Sequence, residues 1–190
     1  AGPQSIDAFI ADWGEPNGAA GHRRWVLFPR AEVMGFGAVL PAYGSGSPSA
    51  SCLWVLGSIR DGTFEKPNAS PPRFVAWPPP GFVPYQVVYP RWSLSYPEAD
   101  FSKAKLEVLR GPRLLDTDIE PLADGFGDNT LVWQIRDPEA QGGRKPEVDA
   151  HFTVRVSGIR IKGRSVEFSY PVVVFDPGEA PSQAQPAAAA

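Results

Sequence analysis

The residues best suited to chemistry lie in the ten-residue stretch GHRRWVLFPR, Gly21 to Arg30. His22 is one of two histidines in the chain. Imidazole is the commonest metal ligand and a general acid–base group near neutral pH. Asp12, Glu15 and Glu32 are the carboxylates closest in sequence, and such a group can orient the ring or share a divalent cation with it. His22 is therefore both the candidate catalytic residue and the candidate metal ligand. The alternative is a structural or surface histidine, because a zinc site takes three or four ligands and one imidazole does not make it. Arg23 and Arg24 follow directly. Guanidinium groups can clamp an anionic ligand through paired N–H donors; alternatively, adjacent arginines point apart and pair with local acids. His151 opens a predicted strand and reads as structural.

Other signatures of catalysis are absent. There is no G-x-S-x-G nucleophile turn and no phosphate-binding P-loop. GFGAVLPAYGSGS lacks both a following helix and a phosphate-binding lysine. DGFGDN brings Asp124, Asp128 and Asn129 close together, which suits calcium, but it has neither EF-hand spacing nor a closing glutamate and reads as a turn before a strand. Cys52 is the only cysteine, which excludes an internal disulfide and a cysteine-based zinc site. Its apolar setting, SCLWVLGS, predicts a buried small hydrophobe.

A second kind of candidate surface lies in FVAWPPPGFVPYQVVYPRWSLSYP, Phe74 to Pro97. Prolines stiffen this backbone and aromatics supply contact area. Trp77, Tyr85 and Trp92, with Phe82, Tyr89 and Tyr96, are candidates to stack on sugar rings or a partner. The competing reading is that they pack the junction between two domains.

The elements that must position these residues follow from composition and periodicity. A chain of 190 residues with 43% hydrophobic content is globular in composition. A net charge of −3 gives no basic field for nucleic acid. No apolar run reaches the roughly 20 residues of a membrane-spanning helix. With 22 prolines and 19 glycines, long helices beyond about residue 30 are not expected. SIDAFIADW predicts one helix, with Ser5 as N-cap, Ile6, Phe9 and Ile10 on one face, and Gly14 and Pro16 as its stop. CLWVLGSI predicts a buried strand. The polar, turn-rich RDGTFEKPNASPPR predicts a domain boundary near residue 65. Seven short runs follow, from RFVAW to SVEFSYPVVVF, rich in Val, Phe, Tyr and Trp. In HFTVRVSGIRI, Phe152, Val154, Val156, Ile159 and Ile161 point inward, Thr153, Arg155 and Arg160 outward, and Gly158 permits a bulge. Trp133 is a core candidate. The fold class is α+β, mainly β: an N-terminal α/β part over 1–64, an immunoglobulin-like antiparallel β-sandwich over 65–177, and a mobile Pro/Ala-rich tail over 178–190.

The stretch DWGEPNGAAGHRRWVLFPRAEVMGFGAV, followed by CLWVLG, resembles bacterial members of the CAP superfamily, the secretory proteins related to antigen 5 and the plant pathogenesis-related proteins. Gly21-His22 matches that family's second Gly-His motif, with GHRRW where Gly-His-Tyr is more usual, and MGFG spans Met34 to Gly37. VAWPPPGFVPYQVVYPRWSLSYPEADFS looks like the start of the β-domain that follows in such proteins. The resemblance covers roughly residues 5–175. It implies an α-β-α fold whose cleft gathers two histidines and two acids around a divalent metal. It also implies a secreted or cell-surface protein that binds lipids, sterols or partner proteins. Of the two histidines only the second, His22, has a counterpart here. Residues 1–64 are then a partial CAP-like segment. Its apolar face calls for an N-terminal half, or a partner chain, from a cleaved or two-chain protein.

The expected function is thus an exported CAP-type binding protein. It would recognise a partner, lipid or glycan through His22, Arg23 and Arg24 and through the face carrying Trp77, Tyr85 and Trp92. One alternative is a metal-assisted hydrolase whose site the missing half completes. Another is an adhesion or structural module acting through the sandwich alone.

Overall fold

The structure, a computed structural model, describes residues 4–31, 33–40, 44, 46, 48–55, 59–60, 63–64 and 74–178. Glu32, the expected boundary near residue 65 and tail residues 179–190 lie outside the described residues.

The helical period of SIDAFIADW produces α1 (Gln4–Ala11). Ser5 lies within its first turn instead of capping it, a shift of the size usual at helix ends. Ile6 and Ile10 join a small apolar cluster, as their spacing requires. The helix breaks at Asp12 (φ 53°) and Gly14 (φ 93°). A 3-10 turn, Glu15–Asn17, then leads to α2 (Gly21–Val26), which falls on GHRRWV. Periodicity does not reveal α2, because six residues are too few to display a 3.6-residue repeat.

β1 (Gly35–Val39) and β2 (Ala50–Trp54) pair antiparallel as a ribbon, and β3 (Ile59–Arg60) and β4 (Thr63–Phe64) form a second, shorter one. The sandwich contains β5 (Val75–Trp77), β6 (Gly81–Pro84), β7 (Arg91–Ser95), β8 (Ala99–Asp100), β9 (Lys105–Arg110), β10 (Arg113–Leu114), β11 (Thr117–Ile119), β12 (Thr130–Ile135), β13 (Ala150–Ile161) and β14 (Arg164–Phe175). One sheet runs β11-β12-β7-β5; the other runs β10-β9-β13-β14-β6, with β8 also on β13. The proline-rich segment changes sheets. β5 pairs antiparallel with β7, whereas β6, after Pro78–Pro80, pairs parallel with β14. The protein is therefore mainly β, an immunoglobulin-like sandwich of largely antiparallel sheets.

Period-2 alternation builds the core. Along β13, Phe152, Val154, Val156 and Ile159 are buried while His151, Arg155 and Arg160 are exposed. The register shifts between Val156 and Ile159. There Gly158 takes φ 73°, and a Cβ on it would stand 2.4 Å from the Lys103 carbonyl oxygen. Trp133 on β12 is directly opposite Trp92 on β7, and both are fully buried. Trp92 meets Phe152 of the facing sheet edge-on, with ring centroids 5.5 Å apart, and its Nε1 donates to the Ala140 carbonyl at 2.8 Å.

One sequence expectation fails. The described start of CLWVLGSI, residues 52–55, is not a buried strand, and Cys52 is exposed. An apolar run shows that a strand favours burial, not that the chain supplies a cover. Among the described residues β2 pairs only with β1, and most of both strands is exposed.

Gly158→Ala is expected to lower stability by about 2–3 kcal/mol, because it adds a side chain at positive φ against backbone. The urea unfolding midpoint reads this, with Ser157→Ala, one residue earlier, expected to change it little.

Candidate functional site

Alternation on β7 sends Trp92 and Leu94 inward and leaves Arg91, Ser93 and Ser95 on the outer face. On β12, Val132 lies opposite Ser93 on that same face. Both Ser93 and Val132 are buried although they point away from the core. The N-terminal helices cover them, so the molecule has a third layer over this sheet.

Arg23 joins that layer to the sandwich. Its side chain leaves α2 and is almost wholly buried. Nε donates to the Ile10 carbonyl at 2.5 Å and Nη2 to the Ala11 carbonyl at 3.3 Å, closing the end of α1. Nη1 donates to the Arg91 carbonyl at 2.7 Å and to Ser93 Oγ at 3.3 Å, reaching β7. Burial pushes the guanidinium down to about 10, with Asp12 opposing and Arg91 adding to the shift, so it stays charged at neutral pH. Lysine has no planar fork with which to meet four acceptors.

Arg24 works beside it. Its Nη1 donates to the Ala123 carbonyl at 2.8 Å and its Nη2 to the Asp128 carbonyl at 3.0 Å, drawing the 120–129 loop onto α2. Burial holds its guanidinium below the ordinary value, opposed by Asp124 and Asp128. Arg30 adds a bond to the buried Asp128 carboxylate at 2.8 Å. From the sandwich side, Arg91 donates to the Asp12 carbonyl at 2.9 Å and the Gly14 carbonyl at 3.0 Å, and pairs with Glu120 at 3.1 Å. No sequence signal marked Arg91, because an arginine on a strand's outer face usually meets solvent. The stretch DGFGDN is a loop, as a turn reading requires. Asp128 faces Arg30, and Asn129 Nδ2 donates to the Ala99 carbonyl at 2.7 Å.

His22 sits at the rim of this layer. Its Nδ1 meets Asp12 Oδ1 at 2.7 Å, with the imidazole side chain 53% exposed and the carboxylate 1% exposed. Asp12 Oδ2 also accepts from the His22 backbone N–H at 2.9 Å and from that of Arg23 at 3.4 Å. Asp12 is thus the acid that caps α2, a task Ala20 at the N-cap cannot perform. A carboxylate oxygen accepts in such a contact, so the Nδ1–Asp12 bond uses the imidazole N–H at Nδ1. Phe9 stacks on the ring with centroids 5.3 Å apart and fixes its plane.

The structure brings His22 together with Asp12, one of the three carboxylates the sequence offered. Arg23 and Arg24 neither clamp an anion nor pair with local acids: both are buried on carbonyl acceptors. Trp92 is not a contact residue, since its ring is closed within the core. Trp77 is half-buried and stacks on Tyr89 at 6.4 Å, in the cluster where α1 meets the sandwich, so it packs the junction. Tyr85 is half-buried and packs against the sandwich core. The described residues around His22 do not by themselves make a metal site. Among the described residues no three His, Cys, Asp or Glu side chains gather, and Asp12 is already committed to three donors.

No family model matches the chain, and no curated protein matches it. Among solved structures it is similar in part to PcoC, a copper resistance protein from Escherichia coli. The two are 11% identical, with a TM-score of 0.37 over 52% of this chain and 94% of that one. A likeness at that level carries no functional argument. No helix among the described residues is long and apolar enough to cross a membrane.

Arg23→Met is expected to cost about 3–5 kcal/mol by leaving buried carbonyls unpaired, and Arg23→Lys to recover only part of that; urea denaturation measures both. Asp12→Ala is expected to cost about 1–2 kcal/mol through the lost cap. The same change is expected to shift the neutral His22 tautomer from Nδ1–H to Nε2–H, which nitrogen NMR of the imidazole reads directly.

Proposed function

We propose that this chain is an exported binding protein that works joined to a partner chain, with the β1–β2 ribbon as the joining surface. The observation that carries the reading is the ribbon's exposure on both faces. Its register places Trp54, Cys52 and Val39 on one face and Phe36 and Leu53 on the other. Trp54 is 67% and Val39 is 68% exposed, and the flanking Val33 and Leu40 are exposed as well. A two-stranded ribbon is marginal in water by itself. Apolar patches of this kind mark interaction surfaces, and among the described residues each strand has an edge with no further strand on it.

The occupant is a chain carrying the N-terminal half of a CAP-type domain, which would extend the ribbon into a sheet and cover its faces. The sequence resemblance supports this occupant, and export rests on that resemblance too. The helices α1 and α2 do not need such a cover, because the sandwich already buries their apolar faces. The ribbon does. In this reading His22 is a surface group held in place by Asp12.

A second reading, a metal-assisted hydrolase, draws on one feature, the half-exposed imidazole of His22 backed by a buried carboxylate. That is how a ligating histidine is supported, and every other ligand would have to come from the partner chain. Metal content of the native assembly, compared with that of His22→Ala, decides it. Equal content in both removes this reading.

The native mass tests the main proposal. The assembly is expected to exceed the 20.5 kDa of this chain by one further chain, and Phe36→Glu with Trp54→Glu is expected to release that chain while the sandwich stays folded by near-UV circular dichroism. A soluble 20.5 kDa monomer from the native source would sink the proposal.

A further inference from the structure

We propose a ligand site at the open end of the sandwich, lined in part by Tyr96, that binds a long-chain carboxylate. β13 and β14 each run for 12 residues, whereas β7 in the facing sheet has only five. The last inward-facing residues of the long hairpin therefore project past the opposing layer. They leave a groove of about 620 Å³ lined by Tyr96, Ile161, Lys162, Arg164, Val166 and Phe168. That volume falls within the roughly 300–1,000 Å³ of small-molecule sites.

The lining divides by chemistry. Ile161, Val166, Phe168 and Tyr96 make an apolar floor. Its rings are braced: Tyr96 stacks on Phe168 with centroids 5.6 Å apart, and Phe74 meets Phe168 at 5.1 Å. Two cations stand on the rim. Arg164 is exposed and has no hydrogen-bond or ion-pair partner among the described residues. Among the described residues Lys162 pairs with Glu98 alone, at 3.5 Å, with both side chains largely in water, where such a pair is weak. Nearby Arg160 points out of the groove and donates to the Gly163 carbonyl at 3.3 Å.

An apolar trough ending in two underused cations is complementary to a molecule with an apolar body and one terminal anion. A fatty-acid anion has that form: its acyl chain lies along Val166 and Phe168, and its carboxylate takes the guanidinium fork of Arg164 and the ammonium of Lys162. The chain's own segment 65–73, EKPNASPPR, fits poorly, because it has two basic residues against one acid and no large apolar side chain.

The test is calorimetric titration of the purified protein with dodecanoate below its micellar concentration, alongside dodecyltrimethylammonium, which has the same chain and the opposite charge. Dodecanoate is expected to bind and the cationic amphiphile to bind at least about tenfold more weakly. Lys162→Ala with Arg164→Ala, two exposed positions, is expected to weaken dodecanoate about tenfold with near-UV circular dichroism unchanged. Absence of dodecanoate binding, equal binding of the two amphiphiles, or an unchanged affinity in the double variant each overturns the proposal.

Discussion

The buried guanidinium of Arg23 is the interaction on which the layering of this protein depends. A charge taken out of water is costly unless its donors find acceptors. Here they find the carbonyls that end α1 and the backbone and hydroxyl of β7. Those carbonyls would otherwise be buried and unpaired, so one side chain satisfies two sets of groups. Arg91 makes the reciprocal connection, from the sandwich back to the turn after α1. Together they turn the outer face of a sheet into an interior.

The same constraint explains His22. α2 starts at a left-handed alanine that offers no cap, and Asp12, also in a left-handed conformation, reaches across to supply one. Its second oxygen then holds the imidazole. The histidine's orientation is thus a by-product of helix capping, and it lies on the surface because the interior positions of α2 belong to Arg23 and Arg24. What the layer cannot cover is the ribbon that follows, and the proposed partnership rests on that contrast between satisfied helices and an unsatisfied ribbon.

The two candidate contact regions differ in kind. The ribbon carries exposed apolar side chains on both faces, and among the described residues no further strand lies on its edges, which suits another polypeptide. The groove at the far end of the sandwich is shaped, braced by rings and rimmed by cations, which suits a small anion with an apolar body. The aromatic, proline-rich segment gives the groove only its two ends, Phe74 and Tyr96. That segment spends Trp92 on the core and Trp77 on the junction, while its prolines mark the place where the chain passes from one sheet to the other.

Alternation by itself determined much of the sandwich: the inward set on β13, the bulge at Gly158 and the burial of Trp133 all follow from side chains that reverse faces at every residue. The helix α1 was equally legible, because its apolar residues repeat within a segment long enough to show the period. Tertiary structure alone decided the rest. Whether Arg23 and Arg24 meet a ligand or a carbonyl depends on which backbone lies opposite, and the groups opposite come from residues as distant as Arg91 and Asp128. Likewise CLWVLGSI carries the composition of a buried strand, yet burial needs a second surface. Hydropathy describes what a segment favours; the rest of the chain determines whether that preference is met.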